Sequence, residues 1–324
     1  MPQGDIPHLL IYVIPGFILL MLVEALSYRF APRANEAGYT AKDTATSLAM
    51  GAGCLLADSL WNVPLAAVLV FLSEATPVHW EPVWWTWPLV LLVQDLTCYW
   101  QHRCHHAVRI LWASHVVHHS SRQFNFSTAL RQTWTAVAVN FFYLPMIVLG
   151  VPLRMLIACG ALSLVYQFWI HTERIGRLPR PVEFVLNTPS HHRVHHASNG
   201  RYLDRNFGCI LIVWDRLFGT FEPETEPCVY GLTKNIDTFN PVRVAFHEYA
   251  ALARDLHAAQ DWRTRTSYLL RGPGFGRSEH LSELRSIHEV PTAATSSPKH
   301  GFPANAPKLL TRPDSRNRGA GSRQ

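Results

Sequence analysis

The chain has 324 residues, a net charge of +6 and 48% apolar residues, yet only 16% of it is charged. A soluble domain carries about 25% charge, so an ordinary water-soluble globule is a poor fit. No block alternates basic and aromatic residues as a nucleic-acid groove would, and the six cysteines show neither C-x-x-C nor framework spacing.

In chain order, apolar stretches occupy 9–26, 45–72, 83–100, 134–151 and 155–170. Each approaches the roughly 20 residues of helix that cross a bilayer. The first has no basic n-region or small-residue cleavage site before it, so it is expected to remain in the mature protein. The second contains Pro64 and is expected to be one kinked helix or two segments. The last two meet at Gly150, Pro152 and Arg154, which predicts a hairpin that spans the membrane or dips in and returns. The expectation is an all-α, polytopic membrane protein with four to five spans or a re-entrant hairpin. It has three parts: 1–44, an N-terminal span and basic loop; 45–261, a catalytic domain; and 262–324, a tail disordered after about 276, where Ser, Pro, Arg and Gly dominate.

Charge sets the expected orientation. Arg29, Arg33 and Lys42 follow the first stretch, whereas 73–82 holds Glu74 and Glu81 and no Lys or Arg. Basic loops stay cytoplasmic. The N-terminus then lies outside, and 101–132 and everything after His171 lie inside, beside anionic lipid. Free thiols rather than structural disulfides fit that reducing face.

The histidines carry the chemistry. Eighteen are present, six of them between His102 and His119 and four between His191 and His196. His102 and His106 are spaced i, i+4. His115 is followed by His118 and His119, and His192 by His195 and His196, at i+3 and i+4. Those spacings share one helix face. His171 adds a ninth at the end of the last apolar stretch. Packing gains nothing from clustered imidazoles, whereas neutral imidazole is a good ligand for iron, zinc, copper or nickel. Nine ligands exceed one ion and suit two. Isolated histidines such as His8, His79, His247, His257, His280, His288 and His300 are read as structural. H-E-x-x-H is absent, which removes a zinc protease.

The pattern His102-x3-His106, His115-x2-His118-His119 and His192-x2-His195-His196 resembles the fatty acid hydroxylase and sterol desaturase superfamily of membrane di-iron enzymes. The words around Asp95 to Arg103, Leu111-Trp-Ala-Ser-His115, Asn187-Thr-Pro-Ser-His-His192, Asp204-Arg-Asn-Phe-Gly208 and Trp214-Asp-Arg-Leu-Phe-Gly-Thr-Phe221 match as well. The segment from Tyr230 to Pro241 looks most like the branch related to alkylglycerol monooxygenase. The resemblance implies two iron ions that use O₂ to hydroxylate or desaturate a lipid alkyl chain or sterol. An external reductase, ferredoxin or reduced pterin would supply electrons, since no haem or iron–sulfur motif is present. It also implies an integral protein of a cell inner membrane or endoplasmic reticulum, with the metal site on the cytoplasmic face. Some members carry a further H-x3-H; here Gln167 stands at its first position and His171 at its second. His105 and His191 fall outside the pattern.

Asp95 and Asn206 are the candidate catalytic residues. Asp95 lies two helical turns before His102, so it is either an acceptor for a ligand N–H or a helix-end carboxylate paired with an arginine. Asp58, at membrane depth, is a further polar candidate. A membrane haem protein or a metal transporter is the alternative. Haem would need axial histidines within spans, and a transporter would place ligands near the midplane.

Overall fold

A computed structural model describes residues 9–33 and 36–275. Helices make up the fold, and among the described residues there are no strands, only isolated bridges pairing Leu186 with Leu211 and Ala197 with Tyr230. The expected tail after 276 lies outside the described residues.

Helix α1 (Leu9–Phe30) is apolar almost throughout, and its Val13–Phe30 segment is long and apolar enough to cross a membrane. Leu19, Leu22 and Val23 are exposed, whereas Glu24 is buried. Helix α2 (Ala41–Ala75) runs through Pro64 and bends there by 53°. Proline lacks the N–H and crowds the preceding turn, so the expected kink has its expected cause. The two arms of α2 pass the span criterion only when taken together.

The remaining apolar stretches become shorter or more polar helices. Helix α3 (Thr86–Ala107) buries a stripe that starts apolar at Val90 and turns polar at Gln94, Asp95, Cys98, His102 and His106. The expected hairpin is a 3₁₀ helix (Ala136–Tyr143) continued by α6 (Leu144–Val148), then a reversal into α7 (Leu153–Trp169). Gly150 makes the reversal with φ +88°, and a Cβ there would sit 2.2 Å from the Val78 carbonyl oxygen. Only glycine fits both demands. Val90, Met146, Ile147, Val151 and Met155 form the apolar core joining α3, α6 and α7. Burying each such side chain stabilises by about 1.5–3 kcal/mol.

The cap is built from short helices: α4 (Arg109–His119), α5 (Phe126–Ala129), α8 (Arg180–Val185), α9 (Pro189–His196) and α10 (Val213–Phe218). It ends with α11 (Pro241–Ala258) and α12 (Trp262–Leu270). Helix α4 packs between α3 and α11. Arg109, almost fully buried, ties α4 to α11 by pairing with Glu248 at 2.8 Å and Asp255 at 2.6 Å.

The cysteine expectation is corrected. Cys98 and Cys209 form a disulfide across 111 residues, and Cys54, Cys104, Cys159 and Cys228 are free. Spacing could not reveal it, because the fold alone brings α3 against the segment after α9. The cysteines therefore lend no support to a reducing face.

Candidate metal centre

Four elements deliver the nine histidines. The last two turns of α3 give His102 and His106, and α4 gives His115, His118 and His119. The residue pair after α7 gives His171, and α9 gives His192, His195 and His196. Pro189 opens α9 at its first turn, where a missing N–H costs no hydrogen bond. The imidazoles converge in two groups. One holds His102, His106, His115, His119 and His195; the other holds His118, His171, His192 and His196. Within each group the ligand atoms lie within 4.8 Å of one another. The groups adjoin, with the His119 and His196 rings stacked at 4.4 Å.

Hydrogen bonding fixes several tautomers. His102 Nδ1 donates to the Phe207 carbonyl at 2.9 Å, His171 Nδ1 to Gln167 at 2.7 Å, and His195 Nδ1 to Arg205 at 2.9 Å. His118 Nδ1 faces the Arg131 carbonyl at 3.4 Å, and His106 Nδ1 lies 3.4 Å from an Asp204 carboxylate oxygen. A neutral ring protonated at Nδ1 presents a bare lone pair at Nε2. Yet His118 Nε2 sits 3.1 Å from His171 Nε2, which itself lies 2.9 Å from His192 Nε2. In the other group His115 Nε2 lies 3.0 Å from His102 Nε2 and 3.1 Å from His119 Nε2. His106 Nε2 and His195 Nε2 are buried with no partner. His118 and His171 both commit Nδ1 to a carbonyl, so their facing Nε2 lone pairs repel unless a cation lies between them, and this donor set fits metal ions.

Electrostatics keeps the ligands ready. Burial, and then the neighbouring imidazoles, hold His102, His115, His119, His192, His195 and His196 well below the ordinary histidine range. Burial followed by His118 does the same for His171. Burial pushes His118 down to about 4, and lowers His106 against the opposing pull of Asp204. The uncharged form is the metal-binding form.

The other sequence candidates take supporting places. His191 is held by Glu183 at 2.9 Å and Thr188 at 3.4 Å, outside both groups. His105 donates to the Gln101 carbonyl and also stays outside. Gln167 turns its side-chain amide to Ser163. Asp58 accepts from Cys54 one turn earlier on α2. The reading of Asp95 as acceptor for a ligand N–H needs correction, because its carboxylate accepts from Ile210 N, Leu211 N and Trp214 Nε1. It anchors the loop whose Phe207 carbonyl meets His102. Asn206, fully buried at φ +56°, accepts from Glu222 N and donates to the His191 and Glu222 carbonyls, which shapes the same loop.

Two supports went unread in the sequence. Glu24 accepts from Tyr39, Phe126 N and Thr172, and so ties α1 to the residue after His171. A lone acid inside an apolar run was the available signal. Asp215 accepts from Phe207 N, Gly208 N and Thr220.

A cavity of about 1030 Å³ opens onto both groups. Its walls include His106, His119, His195 and His196, with Trp112, Val116, Leu203, Val242 and Phe246 beside them. A helical cap that gathers two adjoining sets of neutral imidazoles, four of them bordering one cavity, beside an apolar helix has the build of a histidine-ligated metalloprotein of the membrane-enzyme type. Residues 87–220 match the fatty acid hydroxylase family model. The human alkylglycerol monooxygenase is 36% identical over 303 residues, covering 90% of this chain and 67% of that protein. The Xenopus tropicalis alkylglycerol monooxygenase is 38% identical, covering 80% of this chain and 58% of that protein. The ornithine lipid hydroxylase OlsE of Rhizobium tropici is 27% identical, covering 59% of this chain and 60% of that protein. No solved structure matches. The chain belongs to the fatty acid hydroxylase family. It spans about two thirds of the human relative's length and less of the frog one's. The motif resemblance is thereby borne out, the family and the histidine cluster together point to iron, and the haem and transporter readings are not favoured.

Proposed function

We propose that the chain is a membrane-bound di-iron oxygenase that hydroxylates or desaturates the alkyl part of a lipid, using O₂ and an external electron donor. The observation that carries this is the convergence of five and four imidazoles in two adjoining groups, four of the nine bordering one cavity that has an apolar stretch of wall. His102, His106, His115, His119 and His195 would hold one iron, and His118, His171, His192 and His196 the other. Bound iron would supply the O₂ activation that attack on an unactivated C–H bond requires. The chain's own residues hold the imidazoles neutral and oriented, keep bulk water from them, and position the alkyl chain. Trp112, Val116, Leu203, Val242 and Phe246 offer the apolar contact, while Lys234, Arg243 and Arg254 line the cavity among exposed residues suited to a head group.

On this reading α1, the bent α2 and the apolar part of α3 cross the membrane in turn, and the 134–169 hairpin dips into it. The metal centre lies on the cytoplasmic face of an inner membrane or endoplasmic reticulum. A soluble reductase, a ferredoxin or a reduced pterin delivers electrons there. The relatives' name gives alkylglycerol as their substrate, so a glyceryl ether is the first lipid to test. Lipidomics of a host with and without the expressed gene decides the point. A lipid that gains one oxygen or loses two hydrogens, and is absent with His118→Ala, is expected. An unchanged lipid profile with well-expressed, iron-loaded protein would contradict the proposal.

A further inference from the structure

The two histidine groups have different surroundings. In the four-histidine group, the oxygens that face Nδ1 are the backbone carbonyls of Arg131 and Gln167. In the five-histidine group, all three come from one short segment: the Arg205 and Phe207 carbonyls and the Asp204 side chain. Asp204 is the one anionic side chain among these five acceptors. Its backbone has φ +57°, a left-handed conformation rare outside glycine, asparagine and aspartate. Asn206 repeats that conformation two residues on, and Asp215 and Asp95 pin the residues that follow it, Phe207–Gly208 and Ile210–Leu211. In that conformation the Asp204 carboxylate lies 3.4 Å from Nδ1 of His106, whose own side chain is almost fully buried. The pair also forms a wall common to the large cavity and a separate pocket of about 160 Å³ that contains Arg103, Phe207 and Thr220.

We propose that Asp204 is the positioning residue of the five-histidine group. Its carboxylate accepts from His106 Nδ1, fixes the tautomer that leaves Nε2 bare, and makes that imidazole a stronger donor. An acceptor behind a ligating histidine raises its basicity and holds its ring, and losing such an acceptor costs about 10–100-fold in metal affinity. The two metal positions are therefore unequal, the five-histidine one being tighter. This rests on the two-metal reading above. The Asp204 side chain is 72% exposed, so screening by water places the expected effect near tenfold, the lower end of that range.

The test is an anaerobic titration of full-length, chelator-stripped protein in detergent with Fe²⁺ alone against a competing chelator. Wild type should take up two equivalents of unequal affinity, and His192→Ala should identify the weaker one by deleting it. Asp204→Gly keeps the left-handed backbone at no steric cost and removes the acceptor. It should weaken the tighter equivalent about tenfold and leave the other unchanged. Asp204→Asn keeps an acceptor oxygen and tolerates the same backbone, so it should retain most of the affinity. If Asp204→Gly leaves both equivalents unchanged, or weakens both alike, the proposal is overturned. If wild type takes up fewer than two equivalents, the two-metal reading fails and this proposal fails with it.

Discussion

Replacing Asp95 with alanine separates a structural carboxylate from one that takes part in the reaction. Asp95 is 1% exposed and receives three hydrogen bonds, from Ile210 N at 2.8 Å, Leu211 N at 3.1 Å and Trp214 Nε1 at 2.9 Å. The substitution strands all three donors, each at a cost of about 1–3 kcal/mol. Removing a buried charge returns part of that loss, so the net destabilisation is about 3 kcal/mol. For a chain of this size about 2–4 °C of melting temperature is lost per kcal/mol, which gives roughly 6–12 °C. The same loop supplies the Phe207 carbonyl to His102, so bound iron should fall along with the melting temperature. Asp95→Asn, which keeps an acceptor oxygen, should lose about half as much. The assay is a thermal melt in detergent with iron measured on the same sample. An Asp95→Ala protein that melts within about 2 °C of wild type and keeps its iron, yet turns over no substrate, would refute this role. The carboxylate would then act at the reacting atoms.

Alkylation of unfolded, unreduced protein should label four of the six cysteines, with Cys98 and Cys209 recovered as one cross-linked peptide; six labelled thiols would remove the disulfide. The metal-free protein should lose stability as pH falls. Its ligand histidines have folded values below their unfolded ones, so the unfolded chain binds more protons and stability rises with pH. For His118 the window lies between about 6.5 and about 4, and a melting temperature flat across it would contradict the burial assigned to these rings. Gly53→Ala would place a Cβ 2.4 Å from the Trp134 indole, in contact with α2. Such overpacking should cost about 1–3 kcal/mol, measured as a lowered melting temperature, and an unchanged melt would show that Trp134 moves freely aside.

The histidine pattern was legible because a helix converts i, i+3 and i+4 spacing directly into a shared face. His102 with His106, and His192 with His195 and His196, needed no tertiary information. Their division into groups of five and four did need it, since His118 and His119 are neighbours in sequence but belong to different groups. The outer partners were beyond reach for a similar reason. Most are backbone carbonyls, which carry no residue signature, and Asp95 finds its three donors more than 110 residues downstream. The Pro64 kink and the Gly150 reversal followed from local backbone chemistry. The stretch 83–100 was apolar enough to suggest a span, while the partners of its Gln94 and Asp95, which belong to a buried polar stripe on α3, could not be read from it.

The iron-to-chain ratio of purified protein, measured by elemental analysis beside an absorption spectrum, tests the central claim most directly. Two groups of neutral imidazoles predict about two irons per chain with no haem absorption band. A ratio near one, or iron that is present only as haem, would contradict the account.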